Sequence, residues 1–161
     1  MPKYTKVNFG GNIIEVDIDA NKQYYTEHSL CDCKECCNFY EASKKHFPEL
    51  DKLLSRLGVS VERPDEISSS ISEGIVDYHF VAYTVIGKME NKDKYELELF
   101  DDGAHLKIVL DKRYVPNEQK NEDYFTLTVY NIKFPGALNE PFPEEKSIKK
   151  VFSQIKRMLH I

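Results

Sequence analysis

Hydrophobic and polar residues alternate in several stretches of the chain, which predicts β-strands. In NIIEVDID (12–19), β-branched apolar residues alternate with acidic ones, as in a strand with one buried face. The stretch 75–88 is rich in β-branched residues and apolar on both faces, which favours a central strand. Stretches 95–100 and 105–110 flank an Asp-Gly hairpin turn, and 124–134 is predicted as the last strand.

Apolar residues recur every three to four positions in three other stretches, which predicts helices. The first covers 36–47 and should end at Pro48, where a second helix begins. The second helix carries a leucine stripe, and Gly58 is placed as the residue after its C-cap. The third covers 147–161 and has a basic face opposite its apolar stripe. Residues 59–74 are predicted to form a short extended piece and a serine-rich loop.

The predicted order is a strand, two consecutive helices, a series of strands and a C-terminal helix. This order predicts an α+β fold, with an antiparallel sheet of about five or six strands and helices packed on one face. A length of 161 residues is typical of one domain. No repeat or linker divides the chain, so residues 1–161 are predicted to form a single domain.

Charge and hydropathy exclude several classes of protein. The net charge of −5 argues against non-specific binding to nucleic acid, which requires a positive field. No stretch approaches the roughly 18 consecutive apolar residues of a membrane span, and the first residues lack the apolar run of a signal peptide. We therefore expect a cytoplasmic protein, monomeric or weakly dimeric, with no nucleic-acid or membrane partner. An unknown protein partner is possible, because the basic helix face could dock an acidic surface.

All four cysteines lie within seven positions, in LCDCKECCNFYEA (30–42), and they suggest a metal site. Cys31, Cys33 and Cys36, together with His28, have the residue types that bind zinc. Structural zinc sites usually draw on two separated pairs of ligands, and a second pair is missing here. The fourth ligand would therefore be His28, a distant histidine or water. Four protein ligands indicate a structural site, whereas three ligands plus water could be catalytic.

Two other interpretations of the cysteines remain open. Cys33 and Cys36 form a Cys-x-x-Cys pair at the start of a helix, where backbone amides stabilise a thiolate and could support redox chemistry. A thioredoxin-like site would need a βαβ unit, which the predicted order of elements lacks. Alternatively, the cysteines could be inert, because cysteine often packs as a small buried hydrophobe.

Several segments resemble an uncharacterised family of small bacterial proteins, mainly from Gram-positive species. These segments are CDCKECCNFY, FPELDKLLSRLGVSVERPDEI, FVAYTVIGK and FTLTVYNIKFPGALNEPFPEE. The family's signature is Cys-x-Cys-x-x-Cys followed by an aromatic helix, and Cys31, Cys33 and Cys36 match it. Cys37 lies outside the signature. The resemblance implies no activity, substrate or cofactor.

The sequence predicts a small binding or adaptor domain in which a cysteine cluster holds zinc as a structural clip. The alternative is a thiol-redox or metal-dependent enzyme that uses Cys33 and Cys36. The chain contains no nucleophile elbow, phosphate-binding loop, dinucleotide-binding glycine pattern or zinc-protease helix. No catalytic or cofactor-binding residue is therefore predicted outside the cysteine cluster.

Overall fold

The computed structural model describes residues 2–90, 92–112 and 123–135. Within them, the chain forms three helices and eight strands, and the strand pairs are antiparallel. The predicted α+β class with an antiparallel sheet is confirmed, but the described residues form eight strands where about five or six were predicted. The predicted C-terminal helix, 147–161, lies outside the described residues.

The long fourth strand is the centre of the sheet. The elements are β1 (Thr5–Phe9), β2 (Asn12–Val16), α1 (Ile18–Glu27), α2 (Lys34–His46), α3 (Pro48–Ser55), β3 (Glu66–Ser72), β4 (Ile75–Met89), β5 (Lys94–Asp101), β6 (Ala104–Asp111), β7 (Tyr124–Tyr130) and β8 (Ile132–Pro135). The main strand order is β1-β2-β4-β7-β6-β5. One edge of β4 pairs with β3 and then β2, and its other edge pairs with β8 and β7.

The stretch 12–19, predicted as a single strand, splits into the end of β2 and the start of α1. Asp17 causes the change, because its carboxylate accepts a hydrogen bond from the Ala20 amide (3.1 Å) and caps α1. An N-cap of this kind satisfies one of the amides that the first helical turn leaves free. Three helices rather than two therefore follow the first strands. The other two predicted helices are confirmed as α2 and α3.

The serine-rich stretch predicted as a loop also differs from expectation. Residues 66–72 form β3, which pairs antiparallel with β4 along Ile75–Ala82. The backbone hydrogen bonds offered by β4 outweigh the turn preference of serine, because strand preference depends strongly on context. The predicted last strand likewise divides at Asn131, whose φ of 72° separates β7 from β8.

The core lies between the helices and the sheet. Phe39 of α2 and Leu50 and Leu54 of α3 are fully buried and belong to one cluster with apolar side chains of β4, β6 and β7. Gly58 has a φ of 78°, but it stands two residues after the C-cap, Arg56, rather than directly after it as predicted. The Asp-Gly hairpin turn is confirmed, with Asp102 and Gly103 both at positive φ.

Side chains complete one edge of β4 between the segments that pair with β3 and β2. Asp65 accepts a hydrogen bond from the Thr84 amide (2.8 Å), and the Tyr25 hydroxyl donates to the Thr84 carbonyl (2.8 Å). Asn21 accepts a hydrogen bond from the Ile86 amide (2.7 Å). A buried backbone group left without a partner costs about 1–3 kcal/mol. These three side chains therefore substitute for a neighbouring strand and attach α1 to the sheet.

Replacing Asn21 with alanine should destabilise the protein by at least about 2 kcal/mol, because the buried Ile86 amide and the Leu57 carbonyl both lose their side-chain partner. Urea unfolding of the two proteins measures the difference. Lys22→Ala, on the exposed side of the same helix, is the control and should change stability by less than about 0.5 kcal/mol. Equal effects of the two substitutions would show that the edge of β4 does not depend on Asn21.

Candidate metal centre

Three cysteine thiols converge where the connector after α1 enters α2. Cys33 is the N-cap of α2, and its Sγ accepts a hydrogen bond from the Cys36 amide at 3.4 Å. The Cys33 amide in turn donates to the Cys31 Sγ at 3.5 Å. The Sγ atoms of Cys31, Cys33 and Cys36 all lie within 4.8 Å of one another. In the described part of the chain, no other three histidine, cysteine or carboxylate side chains bring their ligand atoms together in this way.

The dimensions and exposure of this three-thiol cluster suit a metal ion. A zinc–sulfur bond of about 2.3 Å places the sulfurs of a tetrahedral site about 3.8 Å apart, within the span of the cluster. Cys36 is buried, whereas Cys31 and Cys33 are exposed, so the cluster opens to solvent on one side. All three are free thiols. The sulfurs are thus available to a ligand from solution.

Hydrogen bonds from two tyrosines hold the cluster in place. The Tyr40 hydroxyl donates to the Cys31 carbonyl at 2.9 Å, which ties the connector to α2. From β4, the Tyr78 hydroxyl donates to the Glu35 carbonyl at 2.8 Å. Asn38 is fully buried and donates to the Tyr78 oxygen at 3.0 Å. Both sides of the cluster are therefore fixed by groups that are not themselves metal ligands.

The three thiols differ in their tendency to ionise. The hydrogen bond from the Cys33 amide lowers the pKa of the Cys31 thiol. Burial raises the pKa of Cys33 and raises that of Cys36 much further. Burial also raises the pKa of Tyr40 and Tyr78, so both hydroxyls remain donors at neutral pH. Without a metal, Cys31 is therefore the member of the cluster that most readily forms a thiolate.

His28, the fourth residue predicted as a ligand, is not part of the group of close sulfurs. Its ring is buried and stacks on the Tyr24 ring, with centroids 4.8 Å apart. Its Nδ1 lies 3.1 Å from the Tyr24 carbonyl oxygen, and its Nε2 has no hydrogen-bond partner. The role of His28 as a metal ligand stays a prediction.

The other candidate residues lie apart from the cluster. Cys37 is partly buried, its Sγ lies 3.6 Å from the Asp32 carbonyl oxygen, and it does not join the three-thiol group. Of the histidines distant in the sequence, His105 contacts Glu98 at 3.2 Å on the β5–β6 hairpin. Among the described residues, no distant histidine joins the three thiols.

No protein-family model matches this chain, and no similar curated protein or solved structure was found. The resemblance seen in the sequence therefore stays a prediction. In the residues that the structure describes, no helix is long and apolar enough to cross a membrane.

Alkylation should distinguish the thiols of the metal-free protein. At neutral pH, iodoacetamide should modify Cys31 before Cys33 and Cys36, because its pKa is lowered while burial raises the other two. The pH midpoint of the reaction at Cys31 should lie below that at Cys33. Peptide mass spectrometry of samples taken over time at several pH values measures both quantities. Faster modification of Cys33 than of Cys31 would contradict the assigned order.

Proposed function

We propose that the protein is a small metal-binding domain in which Cys31, Cys33 and Cys36 hold one zinc ion. The observation that supports this most directly is the approach of three Sγ atoms to within 4.8 Å of one another without any disulfide. Thiolates suit zinc, and loops that lead into a helix are common sources of its ligands. The two amide-to-sulfur hydrogen bonds add support, because they favour the thiolate form that a metal requires.

The zinc ion would act as a structural clip. It would join the connector between α1 and α2, residues 28–33, to the first turn of α2. Metal binding of this kind stabilises the folded state, because the unfolded chain lacks a preformed site. We assign the clip to a cytoplasmic binding or adaptor domain. A groove of about 520 Å³ beside α1, lined in part by Lys22, Lys44 and Arg63, offers a contact surface for a partner.

His28 is the fourth ligand in this proposal. Metal-bound histidines commonly donate one ring N–H to a carbonyl, which leaves the lone pair of the other nitrogen for the metal. The contact between Nδ1 and the Tyr24 carbonyl, together with the unpaired and buried Nε2, fits that pattern. Coordination would require the connector to move, because Nε2 is not within the group of close sulfurs.

The redox alternative has weaker support. A Cys-x-x-Cys enzyme needs one reactive thiolate in the pair, usually at the helix N-terminus. Here burial raises the pKa of both Cys33 and Cys36. The chain also follows the cysteines with two helices rather than a βαβ unit. These features favour a metal clip over a thiol-redox centre.

Matched serine variants test the clip. Wild-type protein purified without chelator should carry about one equivalent of zinc, and Cys33→Ser should lose it. The melting temperature should fall by at least about 4 °C if the lost metal contributes about 2 kcal/mol. Serine is itself a good N-cap, so the fall reports the metal rather than the helix cap. Cys37→Ser should keep both the zinc and the melting temperature. The proposal would be contradicted if the purified wild type contained no metal and its stability did not change when chelator was added.

The role of His28 has its own test. His28→Gln should lower zinc affinity by about tenfold or more, since it removes one of four ligands. His46→Gln, at the end of α2, is the control and should leave the affinity unchanged. Competition with a chromophoric chelator measures the zinc affinity of each variant. An affinity of His28→Gln equal to that of wild type would show that water or another group takes the fourth position.

A further inference from the structure

We infer that the three-thiol cluster of Cys31, Cys33 and Cys36 is also a binding site for trivalent arsenic, supplied as arsenite. This inference uses the same thiols as the zinc proposal but does not depend on zinc. Arsenic(III) is a soft centre that forms three bonds to sulfur and keeps a lone pair in the fourth direction. Three convergent thiols therefore complete its coordination, whereas zinc still needs a fourth ligand.

The composition of the cluster carries the inference. Three Sγ atoms lie within 4.8 Å of one another, and no other histidine, cysteine or carboxylate in the described residues belongs to the group. The nearest additional thiol, Cys37, instead lies against the Asp32 carbonyl at 3.6 Å. The set thus matches the number of sulfurs that arsenic(III) requires.

The exposure of the cluster and the rigidity of the chain around it both favour the binding of arsenite. Cys31 and Cys33 are exposed, so the small neutral molecule arsenous acid can reach the cluster from solution. Buried Cys36 forms its base. The connector is held by the Tyr40 hydroxyl and the helix turn by the Tyr78 hydroxyl. Little ordering of the chain is then required on binding, which favours affinity.

The reaction needs no oxidant or reductant. Each thiol gives its proton to one hydroxyl of arsenous acid, and that hydroxyl leaves as water. Three arsenic–oxygen bonds break, three arsenic–sulfur bonds form, and arsenic stays trivalent. The product holds Cys31, Cys33 and Cys36 around one arsenic atom and leaves Cys37 as the one free thiol among the four cysteines.

The experiment adds sodium arsenite to the reduced, metal-free full-length protein. Intact mass spectrometry counts bound arsenic, and alkylation with iodoacetamide counts the remaining thiols. We expect one arsenic per chain and a fall from four free thiols to one. Cys37→Ser should bind equally well and leave no free thiol. Cys31→Ser and Cys33→Ser, both at exposed positions, should lose the complex at an arsenite concentration that saturates the wild type.

Protection of only two thiols in the wild type would overturn the inference, because it would mean an ordinary dithiol adduct. The inference would also be overturned if Cys31→Ser bound arsenite as tightly as the wild type. The same holds if Cys37→Ser lost as much arsenite affinity as Cys31→Ser. Circular dichroism confirms that each variant is folded. A protein that protects three thiols with arsenite but binds no zinc would refute the zinc proposal alone. One that binds zinc but not arsenite would refute this inference alone.

Discussion

The hydroxyl of Tyr78 joins the centre of the sheet to the first turn of α2, and the position of the cysteine cluster depends on this link. Tyr78 is fully buried on β4, donates to the Glu35 carbonyl and accepts a hydrogen bond from Asn38. Its ring also packs edge-on against Phe39, with centroids 5.2 Å apart. One side chain thus contacts a backbone carbonyl and a side chain of α2 at once, and holds the first turns of α2 against the sheet. The thiols of Cys33 and Cys36 are held beside it.

β4 in turn connects the cluster to the rest of the fold. Its pairing with four strands leaves part of one edge open, and Asp65, Asn21 and Tyr25 fill that part. Asp65 also accepts hydrogen bonds from the hydroxyls of Tyr24 and Tyr25. These contacts fix the end of α1, and therefore the start of the connector that carries the first thiol. The sheet thus sets both ends of the connector, and the three thiols that would hold a metal already lie close together, whereas His28 would have to move to reach it.

The parts of the fold that the sequence predicts are those with strong local patterns. The leucine stripe of α3, the β-branched run of β4 and the Asp-Gly turn belong to this class. α1 and β3 were missed because long-range contacts define them. α1 lacks an apolar stripe and is held by the side chains of Asn21 and Tyr25, whereas the serines of β3 need β4 as a partner.

In the candidate site, too, the sequence predicts what depends on local spacing and misses what depends on long-range contacts. The sequence identified the three cysteines from their spacing, and the structure brings them together. It could not identify Tyr78 as their support, because that residue lies more than 40 positions further along the chain and carries no motif. Asn38 and Tyr40 lie in a stretch whose helical pattern predicted only packing, so their hydrogen bonds could not be inferred from the sequence.

X-ray absorption at the zinc edge tests the central claim most directly, because it counts the atoms bound to the metal. The zinc-loaded protein should show three sulfur ligands at about 2.3 Å and one lighter nitrogen or oxygen ligand at about 2.0–2.1 Å. Such a result would match three cysteine ligands and one histidine or water around the ion. A first shell of two or fewer sulfurs, or of four sulfurs with Cys37 included, would contradict the account.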